Sequence, residues 1–245
     1  MSISDRRERE KTQRRNTIID AAETLFFSKG FANTTMDEVA EIVELSKGTL
    51  YLYFKSKEEL YVALIQRAMD ILKEMFKTAA GTPGNGLTRI AAVGMAFYDF
   101  YKKYPFHFQV LFHRELNNSI LNKDNPQLED LMMQGEEMFQ LAVNIIKDGV
   151  TDGSIRPGVD PYKTALALDG IFTGLLRVVS LEENHLMKYH NVSPGELIDY
   201  FFDLIGHALT GSNTYEGPPH KPLSTENPGV KGRKPRNKRR TTDEV

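Results

Sequence analysis

The sequence predicts an all-α fold of about nine helices, and two observations carry that prediction. Apolar residues recur at three- and four-residue intervals through most of the chain, whereas the strict alternation that typifies half-buried strands is scarce. Ser/Thr-x-x-Glu sequences, which form capping boxes at helix starts, occur at residues 35–38, 56–59 and 193–196. With 245 residues, of which 40% are hydrophobic, the chain can bury a sizeable core.

Four helices are predicted in the first third of the chain, starting near residues 8, 36, 47 and 57. The first ends before Gly30, a residue type that favours the left-handed conformation beyond a helix end, and Phe31 can fold back onto the last turn. Capping boxes begin the second and fourth helices, and Ser46 can cap the short third helix.

Five further helices are predicted after the Gly- and Pro-rich loop 81–86, starting near residues 87, 105, 126, 161 and 194. Proline fits the first turn of several of them. The final segment, 211–245, holds five of the eleven prolines and has no buried face, so we expect it to be disordered. The predicted domains are therefore residues 1–55, 56–210 and 211–245.

Residues 36–53 form two short predicted helices joined by a tight turn, the spacing of a helix-turn-helix, in which the second helix enters the DNA major groove. The second helix of this pair, which is the third predicted helix of the chain, is too short to be stable alone. Leu50 and Phe54 are therefore expected to anchor it. The side chains left to face outward are Lys47, Thr49, Tyr51 and Tyr53. They suit phosphate and base-edge contacts, although both tyrosines could instead be core or rim aromatics of a small bundle.

Three nearby residues suit DNA binding for other reasons. Gly48 lets the backbone approach DNA closely. Lys57, in the first turn of the fourth helix, can meet a phosphate, and Thr35 stands likewise at the start of the second helix.

The same region resembles the N-terminal signature of TetR-family regulators. The resemblance covers roughly residues 10–62 and rests on Gly30-Phe31 and on the runs TTMDEVA (34–40) and SKGTLYLYFKSKEEL (46–60). It implies an N-terminal three-helix DNA-binding domain and a C-terminal helical domain, with a ligand pocket among helices 4 to 8. It also implies a homodimer formed mainly by helices 8 and 9, most often a repressor released from a palindromic operator. The residues expected at the DNA are Thr35, Ser46, Lys47, Gly48, Thr49, Tyr51, Leu52, Tyr53 and Lys57.

One residue departs from the family pattern. Where the family usually has glycine in the turn, this chain has Glu44. A non-glycine residue in the left-handed conformation costs about 1–2 kcal/mol. Either Glu44 takes that strain or the turn has a slightly different shape.

The fifth predicted helix and its continuation hold eight aromatic residues between positions 97 and 112. Aromatic residues at helical spacing are often simply core, but an apolar cavity with a few polar groups is also the usual form of a small-molecule site. The effector would then be hydrophobic or aromatic, such as a lipid, a drug-like compound or an acyl conjugate. The candidate pocket residues are Phe97, Tyr98, Tyr101, Phe108, Phe112, His113 and Arg177.

Two further features leave alternatives open. Gly170 and Gly174, four residues apart in the eighth predicted helix, allow close helix contact either across the dimer or within one chain. Residues 231–240 carry seven positive charges, so the tail either adds affinity for DNA through counterion release or is a solvated tail.

Other classes of function find little support in the sequence. The chain has none of the motifs GxSxG, HExxH and GxGxxG, so we expect neither an enzyme nor a cofactor. Its six histidines are scattered and it has no cysteine, which disfavours a metal site and fits a reducing cytosol. We expect no signal peptide and no membrane span. A helical adaptor that binds protein without specific DNA binding is the remaining alternative.

Overall fold

The computed structural model describes residues 3–112 and 126–211, and the regular structure in these ranges is helical, which confirms the predicted all-α class. The first four helices are α1 (Ile3–Asn33), α2 (Met36–Ile42), α3 (Lys47–Tyr53) and α4 (Lys57–Ala80). The others are α5 (Gly86–Lys103), α6 (Pro105–Phe112), α7 (Pro126–Asp152), α8 (Pro161–His185), followed by a π-helical turn (Leu186–His190), and α9 (Pro194–Thr210). None of these helices is long and apolar enough to cross a membrane. The basic tail lies outside the described residues.

Side-chain caps fix the starts of several helices. The Thr35 hydroxyl accepts a hydrogen bond from the Glu38 backbone N–H, and the Glu38 carboxylate accepts one from the Thr35 backbone N–H at 2.9 Å. α9 begins with the same reciprocal pair around Ser193. At α4 only half of the predicted box forms, because the Glu59 carboxylate accepts its hydrogen bond from the Lys55 backbone N–H. Local sequence therefore sets where each helix begins.

α1 starts earlier than predicted and bends near its C-terminal end. Residues 4–17 are exposed. Gly30 has φ 82° and ψ 160°, a conformation that glycine adopts readily and other residues avoid, so the chain turns away from the helix axis there. Phe31 consequently folds back, and its ring centroid lies 5.3 Å from those of both Phe26 and Tyr61.

The turn between α2 and α3 contains the residue that departs from the family pattern. Glu44 has a φ of 53°, so it takes the left-handed conformation that usually falls to glycine. The Glu44 backbone N–H donates to the Glu41 carbonyl at 3.1 Å, and the Leu45 N–H donates to the Ala40 carbonyl at 2.9 Å. Of the two alternatives that the sequence left open, the structure therefore shows Glu44 taking the strain.

α1, α2, α3 and the first half of α4 share one tightly packed core, here called the N-terminal core. α6 and α7 reach it through Val110 and Leu131. Its large side chains are buried, so the two short helices α2 and α3 gain from shared packing the stability that neither has alone. Its central residues are Ile18, Ala22, Val39, Leu50, Phe54, Leu60 and Leu64.

α4, α5, α6, α8 and α9 surround a second core, here called the C-terminal core, in which aromatic side chains predominate. α7 packs across α5 where two glycines meet, and a Cβ on Gly86 would lie 2.2 Å from the Gly149 Cα. The Gly86 backbone N–H also donates to the Asp152 carboxylate at 2.8 Å, which ties the two helices together. The central residues of the C-terminal core are Leu72, Phe97, Tyr98, Phe100, Phe108, Phe172, Leu176, Ile198, Phe201 and Phe202.

Candidate functional site

The short helix α3 is fixed at both ends. Leu50 has no exposed surface and Phe54 is 2% exposed, which confirms the two predicted anchors. At the N-terminal end, the Ser46 hydroxyl accepts a hydrogen bond from the Thr49 backbone N–H at 3.1 Å. At the other end, the Arg15 guanidinium lies 4.8 Å from the centre of the Phe54 ring, a cation–π contact from α1. The outer face of α3 is thereby held in one orientation.

That outer face is less polar than the sequence suggested. Lys47 and Gly48 are exposed, and Leu52 is 77% exposed. Tyr51 and Tyr53 are only half-buried, because each packs partly against the N-terminal core. The structure thus combines both interpretations of the tyrosines, since each contributes to the core and leaves part of its ring accessible.

Lys47 connects the two helices of the helix-turn-helix. Its Nζ lies 2.8 Å from the Asp37 carboxylate on α2, and the hydrogen bond to that carboxylate raises the pKa of Lys47. Both side chains are largely exposed, so the ion pair contributes little free energy, and the ammonium is able to exchange Asp37 for a phosphate. Thr35 and Ser46 are also exposed, at the starts of α2 and α3.

Lys57 has a different environment from the one predicted. Its Nζ donates hydrogen bonds to the carbonyl oxygens of Phe31 at 2.7 Å, Thr34 at 2.9 Å and Ala32 at 3.3 Å, and it lies 4.5 Å from the centre of the Phe31 ring. A lysine ammonium has three N–H donors. The predicted phosphate contact of Lys57 is therefore corrected: in this structure its donors are used to close the end of α1 against the start of α4.

A cavity of about 340 Å³ opens inside the C-terminal half, bounded by α4, α5, α7, α8 and α9 and by the end of α6. Its volume and its apolar walls are in the range of small-molecule sites. The lining residues are Met69, Leu72, Phe76, Leu87, Ile90, Ala91, Val93, Gly94, Phe97, Leu111, Phe112, Gly135, Met138, Phe139, Ala142, Ala165, Leu168, Asp169, Phe172, Phe201, Phe202, Ile205, Gly206 and Leu209.

The candidate pocket residues are divided by the structure. Phe97 and Phe112 line the cavity. Tyr98, Tyr101 and Phe108 do not; they pack in the surrounding aromatic core, where Tyr101 and Phe108 have ring centroids 5.2 Å apart. Arg177 is exposed on α8 and does not line the cavity, which corrects its assignment. His113 lies outside the described residues.

Asp169 on α8 is the cavity residue that the sequence reasoning missed. Leu168 and Phe172 also line the cavity, and Leu176 is fully buried, which defines the inward face of α8. At 100° per residue, Asp169 falls beside that face and Arg177 falls on the far side. Helical periodicity, applied to Asp169 and Arg177, is the signal that separates these two charged residues.

A charged cluster joins α1 to α4 and α6. The Arg67 guanidinium donates to the Asp20 carboxylate at 2.6 Å and to the Glu23 carboxylate at 3.1 Å. His107 Nδ1 lies 3.6 Å from the other Glu23 oxygen, and its buried Nε2 has no hydrogen-bond partner among the described residues. Burial lowers the pKa of His107, the Glu23 carboxylate opposes that shift, and Arg67 adds to it.

Helix α6 therefore contacts both the cavity and the DNA-binding helices. Leu111 and Phe112, at its C-terminal end, line the cavity. Phe106, at its N-terminal end, packs edge-on against Phe27 of α1 with ring centroids 5.6 Å apart. One short helix thus lines the cavity at one end and packs against α1 at the other.

An apolar surface remains exposed on α8 and α9. A Cβ added at Gly170 or Gly174 would meet no atom within 4 Å, which excludes close packing of these glycines within the described chain. The large apolar residues of the two helices that are 44–64% exposed are Tyr162, Leu166, Ile171, Val178, Tyr200 and Leu204.

Comparison with known proteins relates the helix-turn-helix region and the fold to those of bacterial regulators. Residues 18–64 match the family described as "Bacterial regulatory proteins, tetR family". The transcriptional repressor KstR2 of Mycolicibacterium smegmatis is 27% identical over 147 residues, which is 60% of this chain and 70% of that protein. The transcriptional activator FasR of the same organism is 32% identical over 105 residues, 43% of this chain and 48% of that protein.

Two solved structures extend the likeness beyond the matched segment. The ketosteroid transcriptional regulator KstR2 of Mycobacterium tuberculosis gives a TM-score of 0.59 at 18% identity, covering 80% of this chain and 95% of that chain. AibR in complex with isovaleryl coenzyme A and operator DNA gives the same TM-score and identity, covering 80% of this chain and 98% of that chain. At this identity the likeness shows a shared fold. The matched segment shows a TetR-family helix-turn-helix region at residues 18–64, and the rest of the described chain shares the fold of these regulators.

Proposed function

We propose that this protein is a homodimeric, sequence-specific DNA-binding repressor that an apolar effector releases from a palindromic operator. The observation that carries the proposal is α6, a single helix that contacts both the cavity and α1 of the DNA-binding region. The relatives support it, because they are named as regulators and not as enzymes. Its place of action would be the cytoplasm.

The proposed DNA surface is the exposed part of the helix-turn-helix in a DNA-binding domain of residues 1–55. Thr35 and Ser46 are exposed at the starts of α2 and α3, and Lys47 adds an exposed positive charge. Lys57 is left out because its ammonium is engaged with backbone carbonyls. The proposed contact residues are Thr35, Ser46, Lys47, Gly48, Thr49, Tyr51, Leu52 and Tyr53.

Residues 56–210 are the proposed effector-binding and dimerisation domain. A ligand that fills the cavity better in one conformation shifts the population toward that conformation. Because α6 packs on α1 and α4 runs from the helix-turn-helix to the cavity wall, such a shift changes the spacing of the two recognition helices in the dimer. Those helices must reach successive major grooves about 34–36 Å apart. AibR, whose structure holds both an acyl-coenzyme A and operator DNA, supports control of this kind.

The proposed dimer interface is the apolar surface of α8 and α9. Gly170 and Gly174 are open in the single chain, so a second copy is able to approach the α8 backbone there. Gly174→Leu should keep the fold and shift sedimentation toward monomer at a protein concentration at which the parent chain is dimeric. A Gly174→Leu variant that stays dimeric would place the interface elsewhere.

The proposed function is tested by selecting bound sequences from a random DNA pool at fixed salt of about 150 mM, since affinity depends steeply on salt. A near-palindrome with half-sites about one helical turn apart is the expected result. Failure to enrich any motif would overturn specific operator binding and favour a helical adaptor that binds protein.

The role of α3 has its own matched control. Lys47 and Lys163 are both exposed lysines beside an aspartate, but Lys163 lies on α8. Lys47→Ala should weaken operator binding and lower the slope of log affinity against log salt by about 1, as expected for one lost phosphate contact. Lys163→Ala should change neither quantity. Equal effects of the two substitutions would contradict a DNA contact through α3.

A further inference from the structure

The walls of the cavity carry a single polar side chain among the described residues. Every lining residue except Asp169 is apolar or glycine, and no lysine, arginine or histidine faces the cavity in those ranges. Asp169 lines the cavity and is also exposed to solvent, so it lies where the cavity opens. From the described residues, a ligand in this cavity therefore meets one carboxylate and otherwise apolar side chains and glycine.

The Asp169 carboxylate forms no hydrogen bond or ion pair with another described residue. Its apolar surroundings raise its pKa, since they disfavour the charged form. An unpaired carboxylate in such surroundings gains free energy from any partner that donates a hydrogen bond or brings a positive charge.

Two other polar atoms nearby also lack partners. Thr173 stands one helical turn after Asp169, and its buried Oγ1 has no hydrogen-bond partner within the described ranges. The same is true of Oε1 of Gln134, which precedes the cavity residue Gly135 on α7. Neither Thr173 nor Gln134 lines the cavity, so Asp169 supplies the hydrogen-bonding side chain among the described lining residues.

These walls also select against one class of ligand. A free carboxylate or phosphate inside the cavity would meet the Asp169 oxygens without a compensating cation from the described walls. Two like charges repel, and burial of an unpaired charge is strongly unfavourable. A fatty acid with its head at this opening would therefore be disfavoured, whereas an amine at the same place would be paired.

We infer that the effector of this protein is a hydrophobic amine, whose apolar body fills the cavity and whose ammonium donates to Asp169. The inference rests on the proposed function only in calling this ligand the effector. The binding preference itself follows from the cavity.

The test compares three ligands with the same ten-carbon chain: decylamine, decanol and decanoate, each below its aggregation concentration and at one pH. Titration calorimetry on the full chain should show decylamine binding about tenfold or more tighter than decanol, because a charge-assisted hydrogen bond replaces a neutral one. Decanoate should bind most weakly. Tighter binding of decanoate, equal binding of the three, or no binding of any of them would overturn the inference.

Two variants separate the carboxylate from the cavity. Asp169→Asn should lower decylamine affinity about tenfold and leave decanol affinity nearly unchanged, since only the charged partner is lost. Asp169→Glu should retain the preference for the amine. Asp130 is an exposed carboxylate on α7 that does not line the cavity, so Asp130→Asn should change nothing. A decylamine affinity that is unaffected by Asp169→Asn would also overturn the inference.

Failure of this inference is distinguishable from failure of the proposed function. Selection of an operator without any preference for the amine would leave the regulator in place and remove the ligand class. Amine binding without a selected operator would keep the ligand class and remove specific operator binding.

Discussion

The N-terminal and C-terminal halves of the molecule are both helical, but one is closely packed and the other encloses a cavity. In the N-terminal core, Ile18, Leu50, Leu60 and Leu64 have no exposed surface, and the short helices are held rigidly. In the C-terminal core, the aromatic side chains of Phe97, Phe172 and several neighbours border a cavity of about 340 Å³. The packed N-terminal half fixes the positions of the recognition side chains. In the C-terminal half, the apolar side chains that line the cavity lack packing partners on one side, and a bound ligand would supply them.

The largest expected effect comes from opening a hole in the packed half. Leu50→Ala should lower the free energy of unfolding by about 2–5 kcal/mol, because the fully buried side chain leaves a space that its neighbours cannot fill. Chemical denaturation measures the change. Leu52→Ala, on the same helix but 77% exposed, is the matched control and should leave stability nearly unchanged. Equal losses in the two variants would show that the N-terminal core is not the packed unit described above.

Adding a methyl group in the C-terminal half, at a position with room for it, should raise the free energy of unfolding. Gly135 lies within α7, and its added Cβ would stand 3.9 Å from the nearest atom, Met69 Cε, which is ordinary contact. Gly135→Ala should therefore raise stability by about 1 kcal/mol, since alanine is the better helix former. In Gly94→Ala the new Cβ would lie 2.9 Å from the Phe202 ring, so that substitution should destabilise. Thermal unfolding of the two variants compares them, and equal shifts would contradict the cavity geometry.

A substitution in the strained turn between α2 and α3 should also raise the stability of the N-terminal half. Glu44→Gly removes left-handed strain but adds chain entropy to the unfolded state, so the net gain in stability should be about 0.5–1 kcal/mol. Glu41→Gly, in the right-handed last turn of α2, should instead lose a similar amount. Denaturation midpoints distinguish the two. A loss of stability in Glu44→Gly would mean that its side chain makes a contribution larger than the strain.

The smallest expected effect is a pH dependence at the junction of the two halves. Burial lowers the pKa of His107 below that of the unfolded chain, about 6.5, so the folded state holds this ring neutral. Its contribution to stability is fully present above pH 6.5 and is lost as the pH falls through the lower, folded pKa. The parent chain should therefore lose more thermal stability between pH 7.5 and 5 than His107→Gln. The exposed His190 provides the control, and a His190→Gln variant should follow the parent.

The features that the sequence predicted well are those that local chemistry decides. The reciprocal hydrogen bonds of Thr35 and Glu38 involve residues three apart, so helix starts could be read from neighbours alone. The burial of Leu50 and Phe54 followed from the helical period within a seven-residue element. The resemblance to the family added the overall arrangement of helices.

The features that the sequence did not predict depend on distant parts of the chain. Lys57 meets carbonyl oxygens 23 to 26 residues earlier, and nothing in its own capping box indicates them. The choice of Phe97 over Tyr98 as a cavity residue depends on how several helices cross. Arg177 and Asp169 are both charged residues of α8, and the helical period separates them only once the packing shows which face of α8 lines the cavity.

The cavity of about 340 Å³ gives the folded chain a larger volume than close packing of its side chains would require. The volume change of unfolding scales with the internal void that unfolding eliminates. Hydrostatic pressure should therefore unfold the C-terminal half before the N-terminal half, and an effector that fills the void should abolish that order. The cavity that would bind the effector thus makes the C-terminal half more sensitive to pressure than the N-terminal half. Effector binding can therefore be measured as a change in pressure stability, without DNA in the assay.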